Sequence, residues 1–121
     1  KTPLIRSDSP LGISVDEGSC DFLAYLITGK KGNPETYAYG YKHEEQLYAE
    51  WKADLEKDIG GVRNRWVWNW GRKREFPPDL GVFIGFRIAE SFYNAQTDKH
   101  KAVQEMHDMK DYEAFYEQSG Y

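Results

Sequence analysis

Asp16-Glu17-Gly18-Ser19-Cys20-Asp21-Phe22-Leu23-Ala24-Tyr25-Leu26-Ile27-Thr28-Gly29 places two carboxylates, Glu17 and Asp21, four residues apart at the head of an otherwise apolar run. The pattern predicts a helix from Ile13 or Ser14 to Thr28, with Gly29 as the residue that closes it. On a helix Glu17 and Asp21 share one face, a turn apart. Val15, Phe22 and Leu26 make an apolar stripe, and Leu23 and Ile27 widen it, so burial on most sides is expected. A carboxylate on such a helix needs a partner or a metal. Ser14-Val15-Asp16-Glu17 also fits a capping box, with Ser14 as N-cap and Glu17 as its partner, and acids in a first turn suit the helix dipole. Capping accounts for Glu17. It does not account for Asp21, which lies deeper, beside Phe22.

The rest of the chain reads as further helices around this one. Lys1 to Gly12, with Pro3, Pro10 and Gly12, is an irregular lead-in. After a turn over Lys30 to Pro34, Tyr37-Ala38-Tyr39-Gly40-Tyr41 alternates tyrosine with small residues, which fits a short strand or a loop leading to a helix. Glu44 to Asp58 is a helix: Leu47, Trp51 and Leu55 recur every four residues, and Glu45, Glu50, Lys52, Glu56 and Lys57 make its wet face. Gly60-Gly61 ends it. In Val62 to Phe76 the rings of Trp66, Trp68 and Trp70 alternate. An extended chain would set them on one side, with arginines stacked between them. Such a segment is either a ligand platform or a long loop anchored by tryptophans on the helices. Pro77-Pro78 stops it, and Asp79 stands at the N-cap of a helix from Leu80 to Tyr93 with Leu80, Ile84 and Ile88 inward. Gly81 and Gly85 each cost about 1 kcal/mol inside a helix. Close approach by another helix or by a ligand backbone would explain them. Asp98 and Asp111 cap two short final helices. The expected architecture is mainly α: one domain over residues 1–121, about five helices and a long Trp-rich loop.

Composition narrows the function classes. The net charge of −4 offers no basic field for nucleic acid. No apolar run approaches the roughly 20 residues of a transmembrane helix. Aromatic residues make up 16% of the chain, enough to fill a small core or to line a peptide or glycan groove. The single Cys20 has no partner within the chain for a disulfide and is expected as a small buried side chain. His43, His100 and His107 lack the i, i+4 spacing of a metal-binding helix, and His43 is expected at the surface or as a cap. Gly81 and Gly85 do not form a dinucleotide fingerprint, because their helix follows Pro-Pro rather than a strand.

Two blocks carry a family resemblance. Glu17-Gly18-Ser19-Cys20-Asp21-Phe22-Leu23-Ala24-Tyr25-Leu26-Ile27-Thr28-Gly29 resembles the E-G-x-x-D-F-[IL]-A-x-L-[IV]-T-G segment of a family of zinc-dependent proteases related to the gliding-motility lipoprotein B. Pro78-Asp79-Leu80-Gly81-Val82-Phe83-Ile84-Gly85-Phe86-Arg87-Ile88 resembles that family's P-x-x-G-Y-x-[IV]-G-[YF]-x-[IV] helix, with Val82 where tyrosine is common. The resemblance implies the C-terminal half of a gluzincin-like fold. It implies Glu17 as the third zinc ligand and Asp21 as the acid that orients a zinc-bound histidine. Tyr39 and Tyr41 become candidates for oxyanion or substrate contacts, and Arg87 for a carboxylate contact.

The chain contains no H-E-x-x-H. The resemblance therefore implies that the histidine helix and the general base belong to a missing N-terminal half, and that this chain alone is not catalytic. It implies zinc in the full-length protein and a cell-envelope, periplasmic or outer-membrane lipoprotein location. Two alternatives stand beside this: a non-catalytic envelope relative of the same fold, and a peptide- or glycan-binding module built on Trp66, Trp68 and Trp70.

Overall fold

The structure, a computed structural model, describes residues 10–55, 66 and 77–121. It is a single, mainly helical domain. The described helices are α1 (Pro10–Thr28), α2 (Pro34–Lys42), α3 (Glu44–Leu55), α4 (Leu80–Ala95), α5 (Lys99–His107) and α6 (Tyr112–Ser119). Lys1 to Ser9, most of the Trp-rich segment and the expected end of the third helix at Asp58 lie outside the described residues.

The organising helix is α4, which packs against each of the other five. Its Phe83, Ile84, Phe86, Ile88 and Ala89 have no exposed surface, and Leu80 and Phe92 are almost as deep. The expectation that the first helix is buried on most sides is therefore corrected. Ile13, Val15, Gly18 and Phe22 face inward on α1, but Cys20, Ala24, Leu26 and Ile27 are exposed. Ile27 is 84% exposed. Only one side of α1 meets α4, so the apolar residues on its far side remain in water.

α1 and α4 cross at small residues. A methyl built on Gly85 would lie 1.8 Å from the carbonyl oxygen of Ser14. One built on Gly18 would lie 2.3 Å from backbone atoms of Gly85 and Phe86. The two backbones touch, which answers the two helix-interior glycines of α4: Gly85 admits the backbone of α1, and Gly81 admits the Ser14 hydroxyl and Trp66. Ser14 belongs to this crossing and does not cap α1. The helix begins a turn earlier, at Pro10, where a residue without an amide hydrogen is tolerated because first-turn amides have no intrahelical acceptor. Ser14 is fully buried and accepts a hydrogen bond of 3.3 Å from the Trp51 indole.

The Tyr37–Tyr41 stretch is helical. Asn33 caps α2 by accepting from the Glu35 amide, and Pro34 opens it. Helical geometry puts Tyr37 and Tyr41 on one face and Tyr39 on another. His43 joins α2 to α3: its amide donates to Tyr39 O and its carbonyl accepts from Leu47 N. Asp98 and Asp111 cap α5 and α6 as expected, accepting from Lys101 N and Ala114 N. Asp79 precedes α4 but differs. Its backbone is left-handed (φ 56°) and its side chain makes no capping hydrogen bond. The carbonyl of Asp79 accepts the first α4 bond, from Val82 N.

The end of the chain is fastened to the bundle. The Tyr121 hydroxyl donates to Glu44 Oε2 at 2.5 Å, and Arg87 Nε donates to the same oxygen at 2.8 Å. The Tyr48 hydroxyl donates to the Tyr121 carbonyl at 3.0 Å and also hydrogen-bonds the Tyr116 hydroxyl. α3, α4 and α6 meet at this polar knot.

Candidate functional site

The site begins with the face of α1 that carries Glu17 and Asp21. Both line one cleft of about 210 Å³, together with Gly32, Thr36, Tyr37 and Asp79. Three elements build it. The middle of α1 supplies the two acids, the N-terminal turn of α2 supplies Thr36 and Tyr37, and the entry to α4 supplies Asp79. Thr36 ties the second element to the third: its hydroxyl donates to Pro78 O at 2.8 Å. The left-handed backbone at Asp79 goes with a carboxylate that lines the cleft instead of capping the helix.

Glu17 is exposed and Asp21 is half-buried. The hydroxyl of Tyr37 donates to Asp21 Oδ2 at 2.8 Å. Tyr37 itself is buried, with its ring set edge-on against Phe83 and Phe86. A rigid core phenol thus fixes one oxygen of a carboxylate at the rim of the cleft. The loop passes close to the same oxygen at Gly32, where a methyl would come within 2.7 Å of it.

Burial pushes the Asp21 carboxyl above the usual carboxylate range, and Asp79 pushes the same way. The Tyr37 hydrogen bond opposes both. Burial also raises the Tyr37 hydroxyl, and Asp21 raises it further, so the phenol keeps its proton and remains the donor. A carboxyl raised in the folded state favours folding when protonated. That contribution is complete below the ordinary carboxylate range and is lost as pH rises through the raised value. At neutral pH the ionised Asp21 therefore costs stability. Asp21→Asn is expected to raise the denaturation midpoint near pH 7, and the gain is expected to vanish near about pH 3. Urea melts of both proteins at the two pH values measure it. A gain that is equal at both, or a loss at neutral pH, contradicts this account of Asp21.

The other sequence-predicted residues lie elsewhere. The Tyr39 ring lies tilted against His43, with ring centres 4.4 Å apart, and lines a separate pocket of about 190 Å³ with Glu50 and Trp66. Tyr41 lies in a groove that adjoins the acidic cleft through Gly32 and Tyr37. Arg87 is held by Glu44 and by Glu90, so it braces α4 to α3 and is not at the cleft. Trp66 is 1% exposed and its indole donates to the buried Asp54 at 2.9 Å. Trp66 itself is held in the core, whereas Trp68 and Trp70 lie outside the described residues.

Cys20 is exposed, contrary to expectation, because it sits on the side of α1 away from α4. Partial burial raises its thiol, and Asp16, Glu17 and Asp21 raise it further, which disfavours the nucleophilic thiolate. His100 and His107 are exposed on α5, and His107 Nδ1 lies 3.0 Å from the neighbouring Asp108 carboxylate.

The sequence reading passed over Tyr37 and Asp54. Tyr37 was discoverable from Asn33-Pro34-Glu35, a helix start that places it four residues from Tyr41 and turned inward. Nothing local distinguishes Asp54 from the wet face of α3; its partner arrives from twelve residues away.

Among the described residues no three His, Cys, Asp or Glu side chains converge as a metal site, and no helix is long and apolar enough to cross a membrane. Comparison with protein-family models, curated proteins and solved structures gives no match to this chain.

Proposed function

We propose that this domain is the C-terminal helical part of a zinc metallopeptidase-like hydrolase, acting at the cell envelope, with Glu17 as a metal ligand and Asp21 as the acid behind a metal-bound histidine. The observation that carries the proposal is the shared cleft: Glu17 exposed at its edge, and Asp21 half-buried with one oxygen held by Tyr37. A ligand has to reach solvent-side metal, while an orienting acid has to be fixed, and the two carboxylates divide in that way.

One carboxylate does not make a zinc site. The histidine ligands and the general base would come from an H-E-x-x-H helix carried on a longer form of the protein. When bound, zinc would activate a water molecule and polarise a peptide carbonyl. The residues of this chain hold and orient. Tyr37 fixes the Asp21 carboxylate, and the raised carboxyl of Asp21 makes it a strong acceptor for an imidazole N–H. The cleft leaves Glu17 at the surface where a second helix would lie.

Elemental analysis of the full-length protein and of its Glu17→Ala variant tests this. About one zinc per chain is expected, with most of it lost in the variant. No zinc in either protein, or zinc unaffected by the substitution, would sink the assignment.

A further inference from the structure

We propose that the groove between α1 and α2, floored by Tyr25 and Tyr41 and crossed by Lys31, binds the carboxylate of an extended peptide. The peptide identity rests on the hydrolase reading above; the preference for an anion rests on the groove itself.

The groove is open and encloses about 630 Å³, within the range of ligand clefts. Among the described residues its charged lining is Lys30 and Lys31. Both are exposed, and neither has a carboxylate partner among the described residues. They stand in a chain whose net charge is −4, so this positive spot runs against the overall field. Lys31 Nζ lies 4.7 Å from the centre of the Tyr41 ring and 5.5 Å from that of Tyr25. Two ring faces thus hold the ammonium over the groove without neutralising it. An exposed ammonium held near ring faces keeps donors free to pair with an incoming anion.

The exposed large hydrophobic residues among those described, Leu26, Ile27 and Tyr41, all belong to the last turn of α1 or to α2, at this end of the domain. An apolar surface beside a lysine with no carboxylate partner among the described residues suits a peptide segment that carries one carboxylate. It suits a sugar less well, because the ring faces that would stack on a sugar already carry the ammonium. The groove meets the Glu17–Asp21 cleft at Gly32 and Tyr37. A chain lying in the groove therefore runs on past the two acids, with its carboxylate anchored to one side of them.

The test is an amide-shift titration of the ¹⁵N-labelled 121-residue chain. The probes are acetyl-Ala-Ala-Glu-Ala-Ala-amide, its Gln analogue, and an all-alanine acetyl peptide with a free C-terminal carboxylate. The expected result is a saturable shift of amides from Gly29 to Gly32 and from Ala38 to Tyr41. It should appear with the Glu peptide, the free acid or both, and be absent with the Gln amide. The arm that binds tells whether a side-chain or a chain-end carboxylate is read. Lys31→Gln should weaken binding at least about fivefold and Lys31→Arg should restore it, while added salt should weaken it. Equal binding of the Gln peptide, indifference to Lys31→Gln, shifts elsewhere or no shifts overturn the proposal. An oligogalacturonate that shifts these amides when neither acidic peptide does overturns the peptide assignment. No metal is needed, so failure here is read separately from failure of the zinc analysis.

Discussion

Gly85→Ala is expected to destabilise the domain by about 3 kcal/mol or more, enough to prevent normal seating of α1 on α4. On helix propensity alone the change should be favourable, by about 1 kcal/mol. The added methyl decides the sign, because it would lie 1.8 Å from the carbonyl oxygen of Ser14. That atom belongs to a helix backbone, and no rotamer change moves it. The two helices must separate, and the contact they lose is the most extensive between the described helices. Gly29→Ala is the comparison. Gly29 has φ 74° with open space around it, so the cost is the left-handed backbone alone, roughly 1–2 kcal/mol. Urea unfolding of the two variants measures the difference. A Gly85→Ala protein within about 1 kcal/mol of wild type would refute the close crossing.

Phe86→Ala should cost about 3–5 kcal/mol, a large part of the roughly 5–15 kcal/mol that stabilises a domain of this kind. Phe86 has no exposed surface. Its ring packs edge-on with Phe22, Tyr25 and Tyr37 at centroid distances of 5.4, 5.6 and 5.1 Å. Truncation leaves a cavity bordered by three rings from two other helices. The expected loss in thermal midpoint is roughly 10 °C or more. Ile27→Ala removes an apolar side chain that is 84% exposed and should change stability by less than about 0.5 kcal/mol. Tyr37 leans on Phe86, so the truncation should also loosen the Tyr37–Asp21 hydrogen bond. The tyrosine ring resonances report it: Tyr37 should lose its distinct shifts in Phe86→Ala and keep them in Ile27→Ala.

The sequence made much of this architecture legible where local chemistry and tertiary packing agree. Asp98 and Asp111 announce their helices because capping is decided within four residues. Leu80, Ile84 and Ile88 announce α4 because a one-turn repeat has a single simple interpretation. The two glycines of α4 announced a close approach, since their cost needed a return from packing. Readings failed where the deciding atoms were distant. Ser14 looks like a cap until Trp51 and Gly81 are brought against it. Cys20 and Ile27 look buried because periodicity shows which residues are apolar, not which side finds a partner. The Tyr37–Tyr41 stretch misled by its period of two, although Asn33-Pro34 had already set a helix going. At the candidate site, the spacing of Glu17 and Asp21 was visible at once. The buried phenol that holds Asp21 and the nearby Asp79 carboxylate come from two other elements.

The contact between the α1 and α4 backbones also bears on how this sequence can drift. A methyl added to Gly18 would strike the backbone of Gly85 and Phe86, one added to Gly85 the Ser14 carbonyl, and one added to Gly81 the Ser14 hydroxyl and Trp66. None of the three glycines can enlarge alone, and a change at one would have to be matched by its neighbours. The exposed flank of α1, from Cys20 to Ile27, has no such tie. In a distant descendant of this chain most of the aromatic core could be exchanged ring for ring. The paired rows of small residues, one in each helix, would be the feature by which to recognise it.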